Sequence, residues 1–261
     1  MAKTRTTLPP MSEQNFAAEQ YAPRAADYVT SAVHAQGEDL DQIEALVTGH
    51  AEAVALDLGC GGGHVSYRAA PHVARVVAVD VTASMLEQVA ANAAARGMTN
   101  IETRLAPAEA LPFPDASFDI VLCRFTAHHW QNLAKGLAEA RRVLKPGGRG
   151  LFIDTVCPAS RVLDTHMQAV ELLRDLSHVR NYSIAEWVAE LARAGFTVQG
   201  TTLRRLHMEF ASWTARTRTA PDLAAAIRHL QDTASPEVRS HFNIGADGSF
   251  DIEAAAFEVT G

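Results

Sequence analysis

The sequence has 261 residues, 48% of them hydrophobic, which is sufficient to bury the core of one domain of ordinary size. Its formal net charge of −7 at pH 7, without a run of Lys or Arg, argues against a nucleic-acid surface and favours a small-molecule partner. The cysteines are isolated and no segment approaches roughly 18 consecutive apolar residues, so we predict a cytoplasmic protein with no disulfide frame, zinc site or membrane span.

The first fifty residues divide into two parts. Residues 1–14 are polar and contain proline, and we expect them to form a mobile arm. Apolar residues then recur at helical spacing up to Val47, which predicts a helical cap over residues 15–50. This cap begins a single predicted domain that covers residues 15–261.

Beyond the cap, strand and helix patterns alternate. The predicted strands lie near residues 53–58, 74–79, 101–105, 118–123 and 150–156, and the helices between them near residues 64–70, 83–97 and 131–143. This alternation predicts a doubly wound α/β fold with a parallel sheet.

Further elements are predicted in the last third of the chain. Ser183 and Glu186 have the spacing of a capping box, which predicts a helix that begins there and ends at Gly195. Two more strands are predicted at residues 196–206 and 248–259. The segments that interrupt this regular pattern are predicted to be lid insertions, at residues 158–182 and 208–247.

The most informative segment joins the first two predicted strands. Asp57, Gly59, Gly61 and Gly63 alternate with other residues where the first strand ends, and Asp80 ends the second strand about 20 residues after the first glycine. Glycines in such a turn allow the backbone to approach a ligand closely. A carboxylate at this distance can accept hydrogen bonds from ribose hydroxyls, so the unit predicts a ligand that contains a ribose.

The spacing of the glycines narrows the choice of ligand. A dinucleotide fingerprint needs glycine at its first, third and sixth positions. Counted from Gly59 the sixth position is His64, and counted from Gly61 it is Ser66. A nicotinamide-dinucleotide site is therefore disfavoured.

An acidic residue two positions before the first glycine resembles motif I of the class I S-adenosylmethionine (SAM) methyltransferases. Residues 105–113, 117–121 and 141–148 are similar, in the same order, to that family's adenine-side motif, fourth strand and turn into the fifth strand. The likeness to the ubiquinone/menaquinone-biosynthesis C-methyltransferase-like (methyltransferase type 11) group covers about residues 50–200. It implies a Rossmann-like, mostly parallel, seven-stranded sheet of order 3-2-1-4-5-7-6, with SAM as cofactor and S-adenosylhomocysteine as product.

The resemblance also implies which residues bind the cofactor. They are Tyr21, Asp57, Gly59, Cys60, Gly61, Asp80, Val81, Met85, Ala106, Pro107, Ala108, Glu109, Arg124 and Phe125. For two of them an alternative is open: Met85 could belong to the core, and Glu109 could be a solvated loop acid. In this resemblance the carboxylate and backbone of the glycine turn meet the cationic amino-acid end of SAM. Aromatic rings such as Tyr21 and Phe125 could stabilise its positive sulfur by cation–π attraction.

One position departs from the family pattern. Members of the family usually carry an acidic residue where this sequence has Pro107. Adenine recognition is therefore predicted to depend on the backbone of residues 106–108 and on Glu109.

Two adjacent histidines follow the fourth predicted strand, where open sheets place ligand-contacting loops. His128 and His129 are the candidate general bases, because imidazole titrates near neutral pH; alternatively, they line the pocket without transferring protons. Neighbours in sequence rarely reach one metal ion, and no Asp or Glu has the spacing to complete a site, so we expect no metal.

The insertions supply candidate acceptor-binding residues. His178, Arg180 and Tyr182 are predicted to contact the acceptor, with Arg180 donating a forked pair of hydrogen bonds to an anionic or enolic oxygen. The alternative is a solvated connector. Trp213, Arg216 and Arg218 could form a second lid, and the two arginines could instead belong to an ordinary exposed helix face.

The sequence therefore predicts methyl transfer from SAM to a small-molecule acceptor, by a monomer or homodimer with no nucleic-acid or membrane partner. Two alternatives are open: a SAM-binding relative with another or lost activity, and a nicotinamide-dinucleotide oxidoreductase. The acceptor is not defined, because C-, N- and O-methylation use the same cofactor motif.

Overall fold

One seven-stranded mixed sheet organises residues 37–261, the part of the chain that the computed structural model describes. Its strands are β1 (Val54–Leu58), β2 (Arg75–Asp80), β3 (Ile101–Leu105), β4 (Phe118–Arg124), β5 (Leu144–Val156), β6 (Thr197–Met208) and β7 (Phe250–Thr260). Their order across the sheet is β3-β2-β1-β4-β5-β7-β6. Strand β7 is antiparallel to both neighbours, and the other pairs are parallel. The predicted fold and strand order are confirmed.

Helices connect the strands. They are α1 (Glu38–Val47), α2 (His64–Ala69), α3 (Ala83–Ala95), α4 (Leu133–Val143), α5 (Arg161–Arg174), α6 (Ile184–Ala194), α7 (Phe210–Arg216), α8 (Pro221–Asp232) and α9 (Pro236–His241). The predicted capping box of Ser183 and Glu186 is present at the start of α6, and this helix ends at Gly195 as expected. Among these helices, none is long and apolar enough to cross a membrane.

The sheet is buried between two apolar layers. On one face, Leu137 of α4 and Trp187 of α6 belong to the same core cluster as Phe152 and Phe257 of the central strands. On the other face, α1 and α2 pack on the sheet, with Ile43 almost fully buried. Because both faces are covered, a ligand reaches this sheet at the ends of its strands.

Strand β5 begins earlier than predicted, at Leu144 directly after α4. The Pro-Gly-Gly sequence that was expected to form a turn is instead part of the strand. Its pairing with β4 shifts register between Phe118 and Ile120. The extra residues are therefore accommodated as an irregularity of the ladder.

The two predicted insertions are more helical than the sequence indicated. Helix α5 lies in the first insertion, and α7, α8 and α9 lie in the second. Their apolar side chains form a separate cluster with residues of β6 and β7: Met167, Met208, Trp213, Ile227 and Phe250. The predicted arm and most of the predicted cap, including Tyr21, lie outside the described residues. Helix α1 is the described part of the cap.

Candidate active site

A cavity of about 730 Å³ opens at the carboxyl ends of β1, β2, β4 and β5. One side is formed by the glycine turn after β1, by the start of α3 and by the loop after β4. The other side is formed by α5, β6 and α7. Crevices at strand ends are where open α/β sheets bind ligands, so this is the candidate site.

The glycine turn requires glycine for a steric reason. Gly59 has a φ of +73°, and a Cβ atom there would lie 2.6 Å from Cγ2 of Thr126. The amide N–H groups of Gly59 and Cys60 both donate to the carbonyl of Val79, at 2.8 and 2.9 Å. At Gly61 a Cβ would meet nothing within 4 Å. Gly61 lines the cavity, so this open space belongs to the cavity beside its main chain.

Asp57 lies at the end of β1 and is 1% exposed. Its Oδ2 accepts a hydrogen bond from Ser66 Oγ at 2.6 Å, while Oδ1 has no hydrogen-bond partner within residues 37–261. Burial raises the pKa of this carboxyl to about 7. Asp57 is not among the residues that line the cavity, so its contact with the ammonium end of SAM stays a prediction. A buried, unpaired carboxylate oxygen is costly unless a cation or donor approaches it, which favours that prediction.

Asp80, at the end of β2, is held by the turn that it faces. Its Oδ2 accepts from the amide of Gly61 at 2.9 Å, and its Oδ1 accepts from the amide of Thr82 at 2.8 Å. Each oxygen keeps a second lone pair, and the residue lines the cavity. This arrangement fits the predicted ribose contact.

A smaller cavity of about 60 Å³ adjoins the ribose side. Ala106, Ala108 and Glu109 line it together with Asp80, whereas Pro107 is outside its lining. The Glu109 carboxylate accepts from the amide of Asn132 at 3.3 Å, which fixes the acid in the wall. The expected adenine-side residues are thus brought together, and their contact with adenine stays a prediction.

The loop after β4 has an unusual backbone. Phe125 has a φ of +52°, a conformation that costs a residue with a Cβ roughly 1–2 kcal/mol. Its amide donates to the carbonyl of Ile153 at 2.8 Å, and its ring lies 4.9 Å from the guanidinium of Arg124, which pairs with Asp39 of α1. Strain at a cavity wall is typical of a functional loop. Phe125, Arg124, Val81 and Met85 all line the main cavity, as the cofactor prediction requires.

His128 is paired with an acid that the sequence analysis did not identify. Its Nδ1 lies 2.6 Å from Oδ1 of Asp154, and its amide donates to Oδ2 of the same carboxylate at 3.2 Å. Asp154 is 1% exposed and lies near the end of β5, next to β4 in the sheet. Because Nδ1 donates to the carboxylate, Nε2 is the nitrogen left for chemistry, and no residue in the described chain pairs with it.

The surroundings of His128 favour its charged form. Burial disfavours an imidazolium, but the charge and hydrogen bond of Asp154 outweigh it, so the pKa of His128 is raised. Burial would also raise the pKa of Asp154, yet the facing His128 holds that pKa below its usual value.

His129 and His178 differ from His128. Burial, together with the charge of His128, lowers the pKa of His129 to about 4 and that of His178 to about 3. His129 Nδ1 lies 3.1 Å from the carbonyl oxygen of Ser177, and His178 Nε2 lies 2.9 Å from Oε1 of Gln168. Both rings are therefore neutral near pH 7, and His128 is the histidine suited to proton transfer.

The residues predicted to bind the acceptor do not line the cavity. Arg180 pairs with Asp164 at 3.0 Å, and the amides of Val179 and Arg180 donate to the carbonyl of His128 at 2.9 and 3.1 Å. His178 and Tyr182 are likewise absent from its walls. Their contact with the acceptor stays a prediction, and these hydrogen bonds favour a role in positioning the His128 loop.

Several wall residues were missed by sequence reasoning. They are Thr126, Thr155, Glu171, Arg174, Arg204 and Met208. Trp213 and Arg216, which the sequence analysis placed in a possible second lid, also line the cavity. Asp154 could have been found from its place near the end of the fifth predicted strand, because that strand neighbours the one that precedes the histidines.

Comparison with known proteins shows the family to which this chain belongs. A family model described as a methyltransferase domain, Methyltransf_11, matches residues 56–152, from β1 into β5. The chain belongs to the class I SAM-dependent methyltransferases, which confirms the family and the cofactor expected from the sequence.

Individual relatives match most of the length of this chain. Uncharacterized protein YafE of Escherichia coli strain K12 is 46% identical over 74% of this chain and 93% of YafE. Uncharacterized methyltransferase YcgJ of Bacillus subtilis strain 168 is 36% identical over 86% of this chain and 88% of YcgJ. The crystal structure of YcgJ matches with a TM-score of 0.82 at 34% identity, over 85% of this chain and 97% of that one.

A more distant likeness concerns the fold alone. The crystal structure of the cyclase SpnF matches 98% of this chain and 98% of its own, with a TM-score of 0.67 and 18% identity. That protein is named as a cyclase and not as a methyltransferase. The reaction must therefore be argued from the site and not from the fold.

Proposed function

We propose that this protein transfers a methyl group from SAM to a nucleophilic atom of a small-molecule acceptor, and that His128 removes a proton from that acceptor. The observation that carries the proposal is the 2.6 Å contact between His128 Nδ1 and Asp154 in the wall of the cavity. It supplies an oriented base at the carboxyl ends of β4 and β5.

The cofactor residues have separate tasks. Bound SAM supplies a methyl group that is already activated by a positively charged sulfur. Asp57, through its unpaired Oδ1, would hold the ammonium end, and Asp80 would accept hydrogen bonds from the ribose. Ala106, Ala108 and Glu109 would enclose the adenine.

The base acts through one nitrogen. Nε2 of neutral His128 accepts the acceptor's proton, and Asp154 stabilises the imidazolium that forms. The Asp154 carboxylate also fixes the orientation of the ring, because it binds both the side chain and the main chain of His128. Such a base contributes about 10²–10⁴-fold to a reaction that needs proton removal.

The size of the cavity supports a small acceptor. A volume of about 730 Å³ lies within the roughly 300–1,000 Å³ of small-molecule sites. Its walls come from one chain and carry both apolar and charged side chains. These walls can hold the reacting groups together and exclude water, which is the main requirement for an in-line methyl transfer.

The test compares the two adjacent histidines. A metabolite extract is incubated with methyl-labelled SAM to find the acceptor, and kcat is then measured for His128→Ala, His129→Ala and His129→Asn. We expect His128→Ala to lower kcat by about a hundredfold or more. His129→Ala should cost less than about a hundredfold, and His129→Asn should recover part of that loss.

S-adenosylhomocysteine binding is the control. His128→Ala should bind it with wild-type affinity, because His128 is not assigned to the cofactor. His129 lines the small cavity with Ala106 and Ala108, so its two variants can lose affinity, and kcat is compared at saturating SAM. Equal losses of kcat in both alanine variants would place the histidines in the pocket wall and remove His128 as base. Binding of S-adenosylhomocysteine without transfer to any component of the extract would contradict methyl transfer itself.

A further inference from the structure

The cavity extends well beyond the cofactor residues. We define the acceptor lobe as the part walled by Arg174 of α5, Arg204 and Met208 of β6, Trp213 and Arg216 of α7, and Ile252 of β7. We infer that this lobe binds an organic acid with an apolar body, whose anionic group is anchored by the arginines. The inference rests on the proposed function, because it names the class of that reaction's acceptor.

The position of the lobe separates it from the cofactor. In the sheet, β6 is four strand positions from β1, which corresponds to about 19 Å. It is three positions from β4, after which His128 lies, or about 14 Å. An acceptor that reaches His128 therefore has its other end in the lobe. Arg204 of β6 therefore suits a group remote from the methylated atom, whereas Arg174 pairs with Glu171, whose charge acts on His128, and lies nearer to the base.

Positive charge predominates on the walls of the lobe. Arg174, Arg204 and Arg216 come from three different elements, while Glu38 and Glu171 are the carboxylates on the same walls. Arg174 pairs with Glu171 at 3.4 Å, and Arg204 pairs with the exposed Glu38 at 3.5 Å. The neighbouring lining acid, Asp39, is paired with Arg124, so the three guanidinium groups of the lobe outnumber their two carboxylate partners, which favours an anionic ligand.

Two of these guanidinium groups retain donors. Arg174 Nε donates to the carbonyl of Trp213 at 3.1 Å and its Nη1 to Glu171, while its Nη2 has no partner within the described chain. Arg204 Nη2 donates to Gln42 at 2.8 Å, and its Nη1 likewise has no partner there. The two side chains are 15% and 17% exposed. Largely buried N–H groups of this kind are suited to a carboxylate.

The apolar part of the lobe defines the body of the acceptor. Trp213 is 1% exposed, and its ring centroid lies 4.8 Å from that of Phe250 in a T-shaped contact. Its position is also fixed by Arg174, whose guanidinium carbon lies 4.8 Å from the ring centroid. Met208 and Ile252 are largely buried beside it. A rigid apolar wall next to cations fits a hydrophobic acid better than a small polar one.

The experiment first sorts possible acceptors by charge. A metabolite extract is passed over an anion-exchange resin at about pH 8, where carboxylates are ionised. The retained acids and the unretained neutral and basic compounds are incubated separately with the enzyme and methyl-labelled SAM. We expect label to enter a compound of the retained fraction, and an acceptor found in the unretained fraction would overturn the inference.

Variants then test the anchor. For the acid recovered, Arg174→Gln should raise KM at least about tenfold with kcat nearly unchanged, and Arg174→Lys should recover part of the loss. Arg193→Gln is the matched control, because this side chain is 70% exposed on α6 and lies outside the cavity. Calorimetry with S-adenosylhomocysteine verifies that each variant retains a folded cofactor site.

The outcomes distinguish two failures. An unchanged KM in Arg174→Gln and in the second variant Arg216→Gln overturns the arginine anchor while methyl transfer stands. No label in either fraction, although S-adenosylhomocysteine binds, overturns the proposed function and the acceptor class with it.

Discussion

The two ends of the cavity present different kinds of groups to a ligand. At the cofactor end, the groups that we propose to position SAM are a glycine turn and two carboxylates, Asp57 next to the last residue of β1 and Asp80 at the end of β2. In the acceptor lobe, the corresponding groups are long side chains on α5, β6 and α7. The cofactor end depends on backbone conformation and tolerates little change. The acceptor lobe can exchange side chains without altering the sheet, so specificity can change at one end alone.

Gly59→Ala should have the largest effect, because it tests the dependence of the cofactor end on the backbone. The new Cβ would approach Thr126 at a φ that favours glycine. We expect S-adenosylhomocysteine binding to weaken by about a hundredfold or more, and the free energy of unfolding to fall by about 2–3 kcal/mol. Both quantities are measurable by calorimetry and chemical denaturation.

Gly97→Ala is the control for that loss. Gly97 has a φ of +69°, but a Cβ there would meet nothing within 4 Å. It should lose about 1 kcal/mol of stability from the backbone alone and keep cofactor affinity. Similar binding losses in both variants would contradict the steric role assigned to Gly59.

Asp154→Asn tests the proposed base, His128, which lies between the cofactor end and the acceptor lobe. Neutral His128 is the active base, so kcat should rise with pH through a pKa that lies above the usual 6.5. Removing the Asp154 charge lowers that pKa, so the midpoint of the profile should move to lower pH while the maximum falls about tenfold or more. Asp119→Asn, which removes a carboxylate paired with Lys145 near the start of β4, should leave the midpoint unchanged. An unshifted midpoint in Asp154→Asn would remove His128 as the titrating base.

Asp57 should make cofactor binding depend on pH. In the free protein, burial raises its pKa to about 7, so below that pH the carboxyl binds a proton. A cationic ligand prefers the ionised form, so SAM affinity should fall by up to about tenfold for each pH unit below 7. Calorimetry in buffers of different ionisation heat would detect the released proton. The Asp57→Asn variant should bind SAM more weakly, and its affinity should depend less on pH. If its affinity depends on pH as strongly as that of the wild type, the proton belongs to another group, such as Asp80.

Arg180→Ala should have the smallest effect. Its ion pairs with Asp164 and Glu186 lie outside the cavity, so we expect less than about a threefold change in the KM of the acceptor. Loss of these partly exposed pairs should lower stability by at most about 1 kcal/mol. A tenfold rise in KM, as large as that expected for Arg174→Gln, would instead support the contact between Arg180 and the acceptor that the sequence predicted.

The difference between the two ends also explains what the sequence could predict. Asp57, Gly59 and Asp80 were identifiable because their spacing is imposed by one strand, one turn and the next strand. The alternation of apolar runs likewise predicted a parallel sheet. The order of its strands was implied by the family resemblance. Short-range geometry of this kind leaves a regular pattern in the sequence.

The acceptor lobe left no such pattern. Arg174, Arg204 and Trp213 are brought together by helices in the two insertions and by the pairing of β6 with β7. Asp154 meets His128 because β4 and β5 are neighbours, although 26 residues separate them in the chain. Contacts of this kind depend on tertiary structure, so local periodicity does not indicate them.

The place of β7 in the sheet has a consequence for folding. Strand β6 pairs only with β7 among the strands of the described chain, and β7 follows it in sequence while lying between it and β5. Strands β1 to β5 can therefore associate as a continuous segment, whose paired residues are at most 65 apart in the chain, as Ala55 and Ile120 are, whereas Val156 of β5 and Glu253 of β7 are 97 apart. The wall that contains Arg204 and Met208 joins the sheet only when β7 has paired with β5. Long-range pairing of this kind is slow, so we expect the acceptor lobe to be the last part of the cavity to form during folding.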